Sequence, residues 1–198
     1  MTFNQLAFNQ FMVKHQVIKQ FDTPITLKSG KQSCLYVNWR TVSNDAYLMD
    51  QLVDYVLFFA KDHNIKPDTF FGVPEGASKL GVLTQFKYAK QNPNYNKGSH
   101  TLSMGRAKPK PHGDPSDQHF IGEPKGNICV IEDVTTTGQS LIACIKQLQS
   151  MGHTIHTAIG LTNRNDLGNN QTQSHLKELG VNYLAMSHSN DILTLSNA

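Results

Sequence analysis

Apolar and polar positions follow two rhythms along this chain, and each switch between them marks an element. Residues 3–20 carry Phe3, Leu6, Phe8, Phe11, Met12, Val17 and Ile18, a spacing that predicts a helix with one apolar face. The stretch 21–36 then alternates. Ile25, Thr26 and Leu27 predict a strand, Ser29-Gly30 a turn, and Leu35, Tyr36 and Val37 a second strand, so a β-hairpin is the plain reading. Helical spacing returns over 42–63 through Tyr47, Leu48, Leu52, Val53, Val56, Leu57 and Ala60, with Asn44 or Asp45 as cap. Lys66-Pro67-Asp68 breaks that helix. Residues 69–73 form a short buried strand, 74–78 a loop of mostly small residues, and 80–88 another helix. Residues 101–104 are a candidate strand. After it, 105–122 holds three prolines and two charged clusters, which disfavour a helix or a central strand. Loops of this length are uncommon in compact domains and often serve as active-site lids; composition alone is equally compatible with a solvated linker. Residues 128–131 read as a strand, and Leu141, Ile142, Ile145 and Leu148 as a helix stopped at Gly152. A strand over 154–161, a helix over 174–180, a strand over 183–186 and a polar tail from 191 complete the chain.

Strands alternating with helices predict an α/β fold, a mostly parallel sheet with helices on its faces. At 198 residues the chain is long enough for one domain with a real core. A net charge of +3 is too mild to argue for nucleic acid. The basic residues gather near Lys108 and Lys110, which suits a small anionic substrate. Three cysteines, Cys34, Cys129 and Cys144, form neither a disulfide framework nor a zinc pattern. Cys129 and Cys144 read as small buried hydrophobes, and Cys34 as a packing residue. The nine histidines show no metal-binding spacing on a helix. No signal peptide or membrane-length apolar run is visible, so the cytoplasm is the expected compartment.

The chemistry concentrates in residues 127–140, N-I-C-V-I-E-D-V-T-T-T-G-Q-S. An apolar strand meets two carboxylates, Glu132 and Asp133, and then a hydroxyl-rich loop made of Thr135, Thr136, Thr137, Gly138, Gln139 and Ser140, just before a helix. The first amides of a helix have no partner within it, and its dipole favours an anion there. The loop hydroxyls add donors, and Gly138 lets the backbone come close. Carboxylates one loop away accept hydrogen bonds from sugar hydroxyls. Together these groups describe a ribose 5-phosphate. Taken singly, the threonines and serine are ordinary N-caps and the acids ordinary dipole partners.

The whole string V-I-E-D-V-T-T-T-G-Q-S resembles the phosphoribosyl pyrophosphate motif of the type I phosphoribosyltransferases. Residues 27–36, L-K-S-G-K-Q-S-C-L-Y, resemble the N-terminal signature of the orotate phosphoribosyltransferases, L-K-S-G-x-x-S-x-x-Y. G-V-P-E-G-A, residues 72–77, resembles that family's pyrophosphate loop. Arg106, Lys110, His112 and Gly113 match its lid pattern. The chain departs from the family at Ala107, where a lysine is usual and Lys108 stands one place on, and at Cys34, where proline is usual. The resemblance covers roughly residues 20–166.

The resemblance implies a type I phosphoribosyltransferase fold, with a small hood from residues 1–40 and a mobile catalytic loop at about 105–122. It implies transfer of phosphoribose to orotate, giving orotidine 5′-monophosphate and pyrophosphate in pyrimidine synthesis. The acidic pair and loop 135–140 would bind the sugar phosphate. Val73, Pro74, Glu75, Gly76 and Ala77, with Arg106, Lys108, Lys110 and His112, would meet pyrophosphate. Lys28, Leu35, Tyr36 and Arg164 would meet orotate, Arg164 through the carboxylate. Asp133, Lys110 and His112 would be catalytic. Mg2+ would be held mainly by the substrate, and a homodimer would share its lids across the interface. Two other readings stay open: a phosphoribosyltransferase for a purine or another base, and a non-catalytic regulator that senses phosphoribosyl pyrophosphate.

Overall fold

The computed structural model describes residues 1–27, 30–112, 114, 117–164 and 171–196. Four strands form its central sheet: β3 (Thr69–Gly72), β6 (Asn127–Thr135), β7 (Thr154–Asn163) and β8 (Asn182–His188). They lie in the order β3-β6-β7-β8, and every pairing is parallel. Parallel neighbours need crossovers, and helices supply them: α4 (Ser78–Lys90) follows β3, α5 (Gln139–Ser150) follows β6, and α6 (Gln171–Glu178) follows β7. This is the α/β architecture the alternation predicts.

Period-two alternation along the strands sends successive side chains to opposite faces, and the sheet accordingly separates two cores. Phe70, Cys129, Ile131, Ile159 and Leu161 pack on one side with α1 (Gln5–Lys14) and α3 (Ala46–Asp62). Phe71, Ile128, Val130 and Ala158 pack on the other with Leu141, Ile145 and Leu148 of α5 and Leu176 of α6. The helix caps follow their side chains. Asn4 Oδ1 accepts from Ala7 N at 2.9 Å and starts α1, and Asp45 Oδ1 accepts from Leu48 N at 2.9 Å and starts α3.

Several boundaries differ from the sequence pattern. The helix expected over 3–20 stops at Lys14. Gln16 takes a positive φ of 53°, Val17 N donates back to Met12 O, and Ile18 opens β1 (Ile18–Thr26). Val17 keeps the apolar rhythm because the turn buries it in the same core. β1 pairs antiparallel with β2 (Gln32–Val37) as the predicted hairpin. The helix expected over 42–63 divides into α2 (Arg40–Ser43) and α3. Of the candidate strand 101–104 only Met104 pairs. It belongs to β4 (Met104–Gly105), joined antiparallel to β5 (Phe120–Ile121) at the base of the lid segment. The polar tail forms α7 (Ser189–Ser196), anchored by buried Ile192 and by Gln5 Nε2 donating to Asp191 Oδ2 at 3.2 Å. Cys34 is exposed on β2, so it is not a packing residue, while Cys129 is buried as expected. No helix among the described residues is long and apolar enough to cross a membrane.

Candidate active site

Ligands of open parallel sheets bind beyond the carboxyl ends of the strands. At that end lies a cavity of about 340 Å³. Its floor is the end of β6, with Glu132, Asp133 and Val134; one wall is Val73, Pro74, Glu75 and Gly76 of the β3–α4 loop. Thr136 and Ser140 of the β6–α5 loop form a second wall, and Tyr36 and Arg164 face them. Residues from four separated motifs therefore meet in one place. A larger groove of about 750 Å³ beside α1 and α3, lined by Phe11, Tyr55 and Phe58, holds none of them.

The acids sit differently from the sequence expectation. β6 runs four residues past Ile131, so Glu132 and Asp133 are strand residues rather than the first residues of a loop. Glu132 is buried, 6% exposed, and Asp133 half-buried. The Glu132 charge is felt at α5. It adds to the burial that pushes the Cys144 thiol up to about 12. Asp133 lies against the β3–α4 loop. A Cβ at Gly76 would come 2.6 Å from its Oδ2 and 2.9 Å from its Oδ1, so glycine lets that loop close over the carboxylate without displacing it.

The loop between β6 and α5 turns at Gly138, whose φ of 70° and contact with Thr172 of α6 both require glycine. No side chain caps α5, and Gly138 O accepts from Ile142 N at 2.8 Å. The first amides of the helix thus open toward the loop. Thr136 and Thr137 are half-buried, and Gln139 and Ser140 exposed. Thr135 corrects the sequence reading: it ends β6 with its side chain wholly buried, so its hydroxyl is not among those of the loop. In the β3–α4 loop, Glu75 and Gly76 stand exposed at the tip, and the Pro74–Glu75 peptide bond is cis. Ala77 is buried and its amide donates to Val73 O at 3.1 Å, which removes that amide from ligand binding.

Arg164 brings a buried positive charge to the cavity. It is 1% exposed, contrary to a solvated surface arginine. Its Nη2 donates to Ser33 Oγ at 2.8 Å, and its backbone N donates to Thr135 O at 2.8 Å. A guanidinium held this far from water interacts strongly with an incoming carboxylate. Ser33 is the serine that stands three before Tyr36 in the hood motif, and sequence reasoning gave it no role. Its Oγ also accepts from Leu35 N at 3.0 Å, so it braces β2 and Arg164 together. Adjacent strand residues face opposite ways: Tyr36 lines the cavity, whereas Leu35 is buried in the hood and does not. Lys28 lies outside the described residues.

Asn38, Trp39 and Arg40 also line the cavity and were not anticipated. Trp39 Nε1 donates to buried Thr162 Oγ1 at 3.1 Å, which pins the hood to β7. The lid segment folds back on itself. Arg106 N donates to His119 O, Arg106 Nε to Asp117 O, and Lys110 N to Gln118 O. Arg106 faces a neighbouring cavity of about 410 Å³ that shares Val73, Pro74, Glu75 and Ser140 with the first. Lys108, Lys110 and His112 are exposed and line neither cavity.

No family model matches the chain. An orotate phosphoribosyltransferase from Methanospirillum hungatei is 30% identical over 161 residues, 81% of this chain and 83% of that one. The crystal structure of orotate phosphoribosyltransferase from Aeropyrum pernix superposes with a TM-score of 0.73 at 21% identity, covering 96% of this chain and 99% of that one. A transcriptional regulator from Methanocaldococcus jannaschii is 26% identical over 117 residues, 59% of this chain and 54% of it. The first relation extends over about four fifths of both chains. This chain belongs to the orotate phosphoribosyltransferase family.

Proposed function

We propose that this protein converts orotate and 5-phosphoribosyl 1-pyrophosphate to orotidine 5′-monophosphate and pyrophosphate. One observation carries the reading most directly: a buried arginine, an acidic pair and an uncapped helix start border one cavity, which matches a carboxylate-bearing base, a ribose and a phosphate.

In the reaction the orotate ring nitrogen forms a bond to the anomeric carbon as the bond from that carbon to the pyrophosphate oxygen breaks. Positive charge builds on the ribose and negative charge on the leaving group. No protein nucleophile is required, and the protein acts by positioning and electrostatics. Thr136, Thr137, Gly138, Gln139 and Ser140 hold the 5-phosphate at the start of α5. Glu132 and Asp133 take the ribose hydroxyls, and Asp133 stabilises the cationic ribose. Val73, Pro74, Glu75 and Gly76 line the pyrophosphate side. Arg164, braced by Ser33, takes the orotate carboxylate beside Tyr36. Arg106, Lys108, Lys110 and His112 belong to the lid and neutralise the leaving group, with His112 or a lysine giving it a proton. Because Lys108, Lys110 and His112 line neither of the two cavities described above, their role fits a homodimer in which each lid serves the neighbouring site.

Among the described residues no group of three His, Cys, Asp or Glu side chains could hold a metal. Two of the carboxylates at the cavity, Glu75 and Asp133, fit a magnesium ion that takes its remaining ligands from substrate oxygens and water. When bound, that ion would neutralise pyrophosphate charge.

The test is orotate consumption, followed by ultraviolet absorbance, with phosphoribosyl pyrophosphate and magnesium present, and with uracil, adenine, guanine and hypoxanthine run in parallel. Loss of orotate only in the complete mixture is expected. Turnover of a purine instead would overturn the base assignment. The relation to a transcriptional regulator supports a second reading, a sensor of phosphoribosyl pyrophosphate; binding of that compound with no turnover of any base would favour it.

A further inference from the structure

Strands β6, β7 and β8 run side by side beneath the acidic pair, and Glu132 lies opposite Gly160, which lies opposite Ala185. Gly160 has no side chain, and the ring of Tyr183, from β8, crosses the gap this leaves. A Cβ at Gly160 would overlap the Tyr183 hydroxyl oxygen and come 3.0 Å from both Thr135 Oγ1 and Tyr183 Cζ. The phenol therefore reaches across β7 to the end of β6. Tyr183 is 5% exposed and Thr135 fully buried. Burial raises the Tyr183 hydroxyl above the usual tyrosine range, the Glu132 charge adds to the rise, and the facing Thr135 hydroxyl partly offsets it. The phenol therefore stays protonated and remains a donor at neutral pH. Neither hydroxyl makes a hydrogen bond of full geometry, to the other or to any further group among the described residues, and the two face each other over Gly160. Burying hydroxyls is costly unless they pair, and a phenylalanine would fill the same space without that cost.

We infer that Tyr183 is a positioning residue for the sugar-phosphate half of the site: its hydroxyl, passing over Gly160, holds Thr135 and with it the root of the loop 136–140. Thr135 is the last residue of β6, and the loop departs from it directly. The inference rests on the assignment of residues 136–140 to the 5-phosphate. It adds a residue from the far strand of the sheet, which touches no substrate.

The experiment uses Tyr183→Phe, Thr135→Val and the double variant in the full chain. Ribose 5-phosphate and orotate are titrated separately by calorimetry, and Tm is measured for each protein. Each single variant is expected to bind ribose 5-phosphate about fivefold more weakly, the loss of one net hydrogen bond. The double variant should be no weaker than the singles, because both remove one interaction. Orotate affinity should change by less than about twofold on the same argument. Unchanged ribose 5-phosphate affinity in the singles, additive losses in the double, or equal losses for both ligands with a lowered Tm would each overturn the inference while leaving the proposed function standing. If the unaltered protein fails to bind ribose 5-phosphate, the phosphate-loop assignment falls and the inference with it. Should Tyr183→Phe not fold, Thr135→Val alone carries the same expectation.

Discussion

At the scale of single residues, the site depends on charges held where water is scarce. Asp133 lies under Gly76 and at the cavity floor, so it can oppose charge that appears only in the transition state. Asp133→Asn keeps the shape and removes the charge. Its kcat is expected to fall by about 10²–10³-fold with Tm unchanged; near-normal turnover would take Asp133 out of the mechanism. Ser33 presents a different case, because it acts on Arg164 rather than on substrate. Ser33→Ala should raise KM for orotate about fivefold by loosening the guanidinium, with KM for phosphoribosyl pyrophosphate little changed. Equal effects on both KM values would mean that Ser33 supports the fold in general and not the base pocket.

Among the elements, local chemistry decides where helices begin and loops turn. Asp45 caps α3 with a 2.9 Å bond to Leu48 N, and α3 carries Leu52, Val53 and Val56 into the core. Asp45→Ala should therefore cost about 1 kcal/mol of stability, read from denaturant unfolding, with activity per folded molecule unchanged. A loss of activity at full folding would instead tie α3 to the site. The α5 start shows the opposite choice. Gly138 occupies the N-cap position without a side-chain acceptor, which leaves the first amides to a ligand. The same contrast explains which element readings succeeded. Asp45 and the strand at 128–131 follow from local propensity, and both appeared as expected. The end of α1 did not, because Gln16 in a left-handed turn lets Val17 continue the helical rhythm from outside the helix. The tail did not either, because α7 is helical through its packing on α1 rather than through its own composition.

The whole molecule raises the question of whether residues 105–122 act on the site of their own chain or on that of a second copy. Lys108, Lys110 and His112 are exposed and border neither cavity of their own chain. If lids act across a two-fold interface, two inactive variants should complement each other. Mixing Asp133→Asn with a Lys110→Ala/His112→Ala double variant, after dissociation and reassociation, should restore about one quarter of the unaltered activity. That figure follows from random pairing, in which half of the dimers carry one intact site. No recovery, with reassociation verified by light scattering, would place each lid over its own subunit's cavity.

The sequence by itself determined the alternation of strands and helices, the acidic pair with its hydroxyl-rich loop, and the hood motif. These are local patterns: side-chain period, turn chemistry and motif spacing belong to neighbouring residues, and they survive without knowledge of the rest of the chain. Only the tertiary structure decided that Arg164 is buried and braced by Ser33, 131 positions away in sequence, that Thr135 faces Tyr183 instead of the loop, and that Trp39 ties the hood to β7. It also decided that Ala77 spends its amide on Val73. Each of these is a contact between distant segments or a choice of face at a strand end, fixed when the sheet forms and its two cores close around it.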